Sequence, residues 1–217
     1  ANINHELKTP VAAMQICLET LEAHDDLPAD KRREFIARCL SQSDRLRRLL
    51  ADVATITSLD EGAADVAFTA VDLRSAITEV AELNLPVAEA KGFAVSVDVA
   101  AGITLHGNRP LLASVFQNLI DNALAYSNGS RIAISARKYG KEIRIEVADD
   151  GVGVAEEHLP HLFERFYRVD KGRSRAAGGT GLGLAIVKNA IALHRGSIQA
   201  LLRKPSGLVF IITLPLD

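Results

Sequence analysis

Apolar residues recur at helical spacing along the N-terminal part of the chain. One stripe, with members three or four residues apart, comprises Ile3, Leu7, Val11, Met14, Leu18 and Leu21. A second stripe comprises Phe35, Cys39, Leu46, Leu49, Val53 and Ile56. The acidic segment 25–30, which contains Pro28, separates the stripes and suits a loop followed by a new helix start. This part of the chain is therefore predicted to form two helices.

Two helices of this length leave apolar surface that must be covered. A hairpin of about 60 residues cannot bury both stripes well by itself. A symmetric dimer that forms a four-helix bundle would cover them, and packing against the rest of the same chain is the alternative. The segment Ser58–Ala63 ends the helical pattern and is typical of a linker. We therefore divide the chain into a helical domain, residues 1–62, and a second domain, residues 63–217.

After the linker, strand and helix patterns are mixed. Apolar residues alternate at period two in three segments: 93–97, 132–136 and 143–147. A continuous apolar run from Leu208 to Leu214 predicts a further strand, and segments 139–141 and 205–207 supply turns. Helical patterns lie at about 72–90, 109–127 and 181–195. This mixture predicts an α/β sandwich with its helices on one face of a sheet.

Composition and charge exclude several classes of protein. Hydrophobic residues make up 48% of the 217 positions, so a disordered chain is not expected. A formal net charge of −2 argues against a protein that binds mainly the phosphate backbone of nucleic acid. No apolar run approaches the ~18–20 residues of a membrane span, so we expect a soluble, cytoplasmic fragment. The first stripe starts at Ile3 without a preceding cap, which suggests a piece of a longer protein.

The first segment with candidate chemistry is Asn-Ile-Asn-His-Glu-Leu-Lys-Thr-Pro, residues 2–10. His5, Glu6 and Thr9 lie close together on the predicted first helix, and Pro10 should bend that helix one turn after His5. Taken alone, the segment is more typical of a solvated helix face than of a reactive site. Its interpretation depends on what the second domain binds.

A pair of asparagines in the second domain is a candidate metal site. Asn118 and Asn122 are four residues apart in a helical pattern, so their amides share one face. Amide oxygens are neutral ligands that suit Mg²⁺, which is often shared with substrate phosphates. Two exposed or capping asparagines are the alternative.

Two glycine-containing segments follow. In Asp149-Asp150-Gly151-Val152-Gly153, a strand ends at an acid that could accept a hydrogen bond from an exocyclic amine, although Asp-Gly turns are common. The second segment, residues 178–187, is a glycine-rich loop that opens a helix, and such a junction favours phosphate. It matches neither a Walker-type loop nor a dinucleotide fingerprint.

Between the two segments, residues 162–168 and the basic residues 171–177 are typical of a mobile lid or a charged surface loop.

Taken in order, these segments resemble the sensor histidine kinases of two-component systems. Residues 5–10 resemble the phosphoacceptor box of that family, and residues 118–122 resemble its asparagine box. Residues 149–153 and 179–184 resemble its two glycine boxes, and residues 163–167 its phenylalanine box. The resemblance spans nearly the whole chain. It implies a dimerisation and phosphotransfer hairpin followed by an ATP-binding domain of the Bergerat type.

The resemblance also implies roles for individual residues. His5 would be the phosphoacceptor, and we hypothesise that Glu6 hydrogen-bonds the other ring nitrogen of His5 and takes its proton. The Glu6-x-x-Thr9 pattern resembles the phosphatase motif of the family, in which the hydroxyl positions a water; an ordinary polar helix residue is the alternative for Thr9. Asp149 would receive the adenine amino group, and Asn122 with Asn118 would hold Mg²⁺ against the triphosphate of ATP. The remaining nucleotide contacts would come from Tyr126, Gly151, Gly153, Arg168, Gly179, Thr180, Gly181, Leu182, Gly183 and Leu184.

One position departs from the family pattern. Ala125 stands where many relatives have Lys or Arg, so a phosphate contact from that helix is missing; Arg168, Lys171 or Arg173 could replace it.

The partners implied are a second copy of the chain and the receiver domain of a response regulator, in a parent protein anchored in the bacterial inner membrane. The alternatives are another Bergerat-fold ATPase, or a dimeric scaffold that binds nucleotide without forming phosphohistidine.

Overall fold

The computed structural model describes residues 3–62, 67–169 and 179–216. The helices of this part of the chain are α1 (Ile3–Ala23), α2 (Ala29–Asp60), α3 (Leu73–Ala90), α4 (Arg109–Tyr126) and α5 (Gly183–Leu193), with a short 3₁₀ helix at Glu156–His161. The strands are β1 (Thr69–Asp72), β2 (Ala94–Val99), β3 (Thr104–Gly107), β4 (Arg131–Tyr139), β5 (Glu142–Asp149), β6 (Ser197–Leu202) and β7 (Leu208–Pro215). No helix among these residues is both long and apolar enough to cross a membrane.

The predicted helical hairpin is confirmed. Helices α1 and α2 pack against each other, and the thiol of Cys39 lies 3.7 Å from the carbonyl oxygen of Met14 across the pair. Helix α1 continues through Pro10, whose side chain is buried. Much apolar surface stays uncovered on the two helices, notably at Ile3, Val11, Ile16, Leu18, Ile36, Leu40 and Leu50.

The second domain is an α/β sandwich, as predicted. Its main sheet has the strand order β2-β4-β5-β7-β6, in which only the β2–β4 pair is parallel. Strands β1 and β3 form a separate antiparallel pair. Side chains on one face of the main sheet, such as Ile134 and Ile145, are fully buried against α3, α4 and α5 in one apolar core. The sheet therefore acts as a platform on which the three helices pack.

Local sequence fixes where the core helices begin. The side chain of Asp72 accepts a hydrogen bond from the backbone N–H of Ser75 at 2.6 Å and caps α3. Asn108 caps α4 in the same way through the N–H of Leu111, and Pro110 occupies the first turn, where its missing N–H has no cost. Burial of the apolar face of α4, which includes Phe116 and Leu119, then sets the rotation of this helix and the direction in which its asparagines point.

The C-terminal half of α2 packs against α5 of the second domain. Leu49 and Ile56 from α2 form a buried cluster with Leu182, Ala185 and Ile186. The Asp60 carboxylate adds an ion pair in which Arg165 donates at 2.6 and 2.8 Å. Part of the second apolar stripe is therefore covered by the same chain, which is the alternative that the sequence left open beside a dimer.

Candidate functional site

A cavity of about 610 Å³ opens where the helical hairpin meets the second domain. Its walls come from α2, the C-terminal parts of α3 and α4, the loop after β5, residues 162–169 and the loop before α5. The size is ordinary for a pocket that takes a small organic ligand. Four of the segments singled out in the sequence therefore converge on one surface, together with a helix from the other domain.

The asparagines of α4 both line this cavity. The amide nitrogen of Asn118 donates to the carbonyl oxygen of Ser114 at 2.8 Å. Asn122, one turn later, makes no hydrogen bond with another described residue, so its amide oxygen is available to a ligand. A single amide oxygen fits Mg²⁺ that is carried largely by phosphates. No cluster of three or more His, Cys, Asp or Glu suited to a metal occurs within residues 3–62, 67–169 and 179–216.

The glycine-rich loop forms a second wall. Gly183 is the first residue of α5, and a Cβ there would lie only 2.5 Å from Oδ1 of Asn118. A larger residue at this position would therefore force the Asn118 side chain to move, so glycine lets the start of α5 approach α4 without disturbing that amide. The backbone N–H groups and positive dipole end at this junction favour the phosphates of an anionic ligand.

Asp149 ends strand β5 and is buried. Its Oδ1 accepts hydrogen bonds from the backbone N–H of Gly151 at 2.9 Å and of Leu208 at 3.4 Å. Burial raises the pKa of this carboxyl above its ordinary value, although the two N–H donors oppose the rise. Gly151 is needed at its position because a Cβ there would lie 2.0 Å from the carbonyl oxygen of Ser127.

Charged residues that sequence reasoning missed also line the cavity. Asp52 of α2 accepts a hydrogen bond from the Thr180 hydroxyl at 2.6 Å, and Asp121 of α4 accepts one from Gln117 at 3.0 Å. Partial desolvation raises the pKa values of both carboxyls, although the Asp121 residue stays exposed to solvent. Two cations, Arg48 of α2 and Lys91 at the end of α3, lie on the same lining.

Arg168 connects the cavity to the first helix. It lines the cavity, and its Nη2 donates to the carbonyl oxygen of Gly179 at 2.7 Å. The same nitrogen lies 3.4 Å from Oε2 of Glu6, which also pairs with Arg45 at 3.1 Å. All three of these side chains are nearly buried. The neighbouring His5 is 68% exposed, and its Nδ1 lies 3.9 Å from Oε1 of Glu6, too far for a hydrogen bond.

Comparison with known protein families resolves what this arrangement is. The family model for "Histidine kinase-, DNA gyrase B-, and HSP90-like ATPase" matches residues 107–217, which include both glycine segments and the asparagine pair. The chain belongs to this ATPase family. A second model, the His Kinase A (phospho-acceptor) domain, matches residues 1–62. The two domains in this order identify the catalytic core of a two-component sensor histidine kinase.

Individual relatives agree with that family. The chain is 40% identical over 216 residues to the sensor-like histidine kinase SenX3 of Mycolicibacterium smegmatis, covering 99% of this chain and 56% of that protein. It therefore spans little more than half the length of this curated relative. The histidine kinase AdeS of Acinetobacter baumannii shares the fold, with a TM-score of 0.81, 23% identity and coverage of 98% of both chains. Full-length ShkA in complex with AMPPNP gives a TM-score of 0.73 at 28% identity, over 97% of this chain and 44% of that one.

The phenylalanine box of this histidine kinase core anchors the segment that carries Arg168. Phe163 packs edge to face on Phe210 of β7, at 6.1 Å between ring centroids. Phe166 joins the cluster between α2 and α5, and its backbone N–H donates to the carbonyl oxygen of Gly181 at 2.7 Å. The hydroxyl of Tyr167 lies 2.7 Å from Nδ1 of His158. These contacts fix the start of the segment and aim Arg168 into the cavity.

Most of the nucleotide-binding residues predicted for the kinase lie on the cavity surface. The predicted residues that line it are Asn118, Asn122, Tyr126, Gly153, Arg168, Gly179, Thr180, Gly181, Gly183 and Leu184. Three others are not part of the lining. They are Asp149, which is buried, Gly151, and Leu182, whose side chain packs into the cluster with Leu49 of α2. The hydrogen bond predicted between His5 and Glu6 is not formed.

The remaining predictions fall outside the described residues. Lys171 and Arg173, which the sequence offered as replacements for a cation at Ala125, belong to the segment 170–178. Gly178 at the start of the glycine-rich stretch and Ala63 at the end of the linker lie outside as well. Ala125 itself lines the cavity, and α4 contributes no Lys or Arg to that lining.

Proposed function

We propose that this chain is an ATP-dependent protein-histidine kinase that phosphorylates itself on His5 and passes the phosphoryl group to an aspartate of a response regulator. The observation that carries the proposal is the contact between Arg168 and Glu6. It joins the lining of the nucleotide cavity to the helix on which His5 lies. This contact supports the proposal because it links the cavity proposed to hold ATP to the helix proposed to carry the acceptor.

In the proposed reaction, a ring nitrogen of His5 attacks the γ-phosphorus of ATP, and the bond to the oxygen bridging to ADP breaks. Neutral imidazole is available near pH 7, which makes histidine a suitable nucleophile. Glu6 holds the other ring nitrogen and takes its proton. For this, Glu6 must close the 3.9 Å separation from Nδ1 of His5.

Arg168 controls when Glu6 is available. Its guanidinium is paired with Glu6 and with the carbonyl oxygen of Gly179. The γ-phosphate of bound ATP carries more charge than either partner and would draw Arg168 away from Glu6. The carboxylate would then turn to His5, and the arginine would stabilise the charge that develops on the transferring group.

The nucleotide would be held by the residues that line the cavity, with Asp149 receiving the adenine amino group. Asn122 would hold Mg²⁺, and Asn118 would support it from one turn earlier. Bound Mg²⁺ supplies positive charge that offsets the phosphates during transfer. The α5 terminus at Gly183 and the loop from Gly179 would hold the phosphates through backbone N–H groups.

Thr9 suits a second activity, dephosphorylation of the regulator. Its hydroxyl donates to the carbonyl oxygen of His5 at 3.0 Å, one turn away on the same face. The hydroxyl oxygen keeps lone pairs that could orient a water for attack on a phosphoaspartate.

The assembly proposed is a homodimer formed through the hairpin. The exposed apolar side chains of α1 and α2, including Leu18, Leu40 and Leu50, are the surface that a four-helix bundle would cover. The domain division proposed is 1–62 for dimerisation and phosphotransfer and 63–217 for ATP binding. We further propose that the parent protein is anchored in the bacterial inner membrane, with this part in the cytoplasm.

The test is incubation of the chain with γ-labelled ATP and Mg²⁺, with α-labelled ATP as the matched control. The proposal predicts label on the protein from the γ-position only, stable in alkali, labile in acid, and transferable to a receiver domain. Release of labelled phosphate without labelled protein would instead indicate an ATPase that uses nucleotide as a conformational clamp. Nucleotide binding with neither outcome would indicate a scaffold.

A further inference from the structure

Three described cations line the nucleotide cavity, and they differ in their partners. Arg168 is held by Glu6 and by the carbonyl oxygen of Gly179. The ammonium group of Lys91 donates to the carbonyl oxygen of Leu124 at 3.2 Å. Arg48 forms no hydrogen bond or ion pair with any other described residue, and its side chain is exposed to the cavity. It is therefore the lining cation whose charge is available without breaking an existing contact.

The position of Arg48 is set by the docking of α2 on the second domain. Leu49, the next residue, is 2% exposed and packs into the cluster with Leu182 and Ile186. One turn further along α2, Asp52 accepts the hydrogen bond from the Thr180 hydroxyl in the glycine-rich loop. The apolar and polar contacts together hold this turn of α2 against the cavity mouth.

Arg48 shares the cavity lining with two carboxylates that flank the predicted phosphate-binding segments. Asp52 lies beside the glycine-rich loop through its hydrogen bond with Thr180, and Asp121 precedes Asn122 on α4. Without a cation here, a polyanionic ligand would meet the two carboxylates directly.

We propose that Arg48, a residue of the phosphotransfer hairpin, binds the terminal phosphate of ATP in the cavity of its own chain and takes over the role of the cation that α4 lacks at Ala125. The inference rests on the proposed function. The terminal phosphate is assigned because the hairpin also carries the acceptor His5. The end of the nucleotide that reacts must therefore face the helices, whereas the adenine end lies toward Asp149. A planar guanidinium suits this contact because it can donate two hydrogen bonds to one phosphate.

The consequence is a nucleotide site that is complete only when the domains are docked. A second domain that moves away from α2 keeps Asn122 and the glycine-rich loop but loses Arg48. Discrimination between ATP and ADP would then depend on docking, because only ATP has the phosphate that Arg48 contacts. Phosphotransfer and nucleotide exchange would thus be coupled through one side chain.

The experiment measures the affinities of the whole chain for ATP and for ADP, by displacement of a fluorescent nucleotide analogue. Arg48→Gln is expected to weaken ATP binding about tenfold, the size of one lost hydrogen bond to a charged group, and to leave ADP binding unchanged. Arg48→Lys should retain most of the ATP affinity, although it loses the paired geometry.

The matched control is Arg47→Gln. Arg47 is the preceding residue, is exposed and pairs with Asp44 at 3.0 Å, and it does not line the cavity. The substitution changes the net charge of the protein by the same amount as Arg48→Gln. Equal ATP affinities for the two glutamine variants would overturn the inference, and so would an equal loss of ATP and ADP binding in Arg48→Gln. Failure of the unaltered chain to bind either nucleotide would instead contradict the proposed function. Thermal unfolding of each variant checks that the fold is intact.

Discussion

Nη2 of Arg168 lies 3.4 Å from Oε2 of Glu6, and this contact spans the two domains. One partner lines the nucleotide cavity and the other follows the proposed phosphoacceptor His5. If the arginine releases the carboxylate when ATP binds, nucleotide binding and activation of the histidine become one event.

The role of Glu6 as base predicts the effect of Glu6→Gln. The amide keeps an oxygen that can accept hydrogen bonds from Arg45 and Arg168, but it cannot take a proton from His5. We expect the initial rate of histidine phosphorylation to fall by about 10²-fold or more, the usual contribution of acid–base catalysis. ATP affinity should be nearly unchanged. Glu22→Gln, an exposed change on the same helix, is the control, and equal rates for the two variants would show that Glu6 is not the base.

The two asparagines are expected to differ in their effect on metal-dependent binding. Asn122 makes no hydrogen bond with another described residue. The amide nitrogen of Asn118 donates to the carbonyl oxygen of Ser114, and its amide oxygen lies beside Gly183. Asn122→Ala should abolish phosphorylation and remove the gain in ATP affinity that Mg²⁺ provides over EDTA. Asn118→Ala should have the smaller effect on that gain. The reverse order would assign the metal to Asn118 instead.

Docking of the domains depends on Leu49. Truncating a buried leucine costs about 2–5 kcal/mol, and the cluster around Leu49 includes Ala185 and Ile186 of α5 in the other domain. Leu49→Ala should therefore loosen docking and raise hydrogen exchange of the backbone amides at the start of α5. The core of the second domain is a separate cluster and should keep its protection. Leu83→Ala, at a side chain that is 72% exposed, is the control; matching exchange in the two variants would rule out this role for Leu49.

The buried His194 predicts how stability depends on pH. Its Nε2 accepts a hydrogen bond from the backbone N–H of Asn108 at 3.0 Å, so its proton is on Nδ1, which donates to the carbonyl oxygen of Ala190 at 2.7 Å. Burial lowers the pKa of this imidazole below 6.5, its ordinary value, because the fold resists the charged form. The unfolded chain therefore binds more protons in the pH range between the two pKa values.

Stability from His194 is fully present above pH 6.5 and is lost as the pH falls through that value and then through the lower folded pKa. Urea unfolding between about pH 5 and 7.5 should show a free energy of unfolding that rises with pH. His194→Gln should flatten the rise, whereas His24→Gln, at an exposed histidine, should leave it in place. An unchanged slope in His194→Gln would contradict the assignment.

Strong periodic patterns predicted most of the fold. The hairpin, the helices at about 72–90 and 109–127 and the strands around 132–136 and 143–147 are confirmed. Strands β1 and β3 were missed because each has only four residues and they pair with each other outside the main sheet. Strand β6 was missed because it is an edge strand with mostly exposed side chains, so its sequence carries little alternation.

The sequence predicted those site residues that belong to a local motif. Asn118, Asn122 and the loop from Gly179 stand in segments whose spacing indicates their chemistry, and they line the cavity. Arg48 and Asp52 could not be found this way, because they lie on the cavity only through the packing of Leu49 against α5. Leu182 was predicted to contact the nucleotide because it belongs to the glycine-rich motif, but its side chain packs against α2. A motif does not tell which way each of its side chains points.

Phosphorylation of His5 is the central claim, and one measurement tests it most directly. The unaltered chain and His5→Gln are incubated with γ-labelled ATP and Mg²⁺, and protein-bound label is measured alongside ATP affinity. The account predicts acid-labile label on the unaltered chain, none on His5→Gln, and similar ATP affinity for both. Undiminished label on His5→Gln would contradict it.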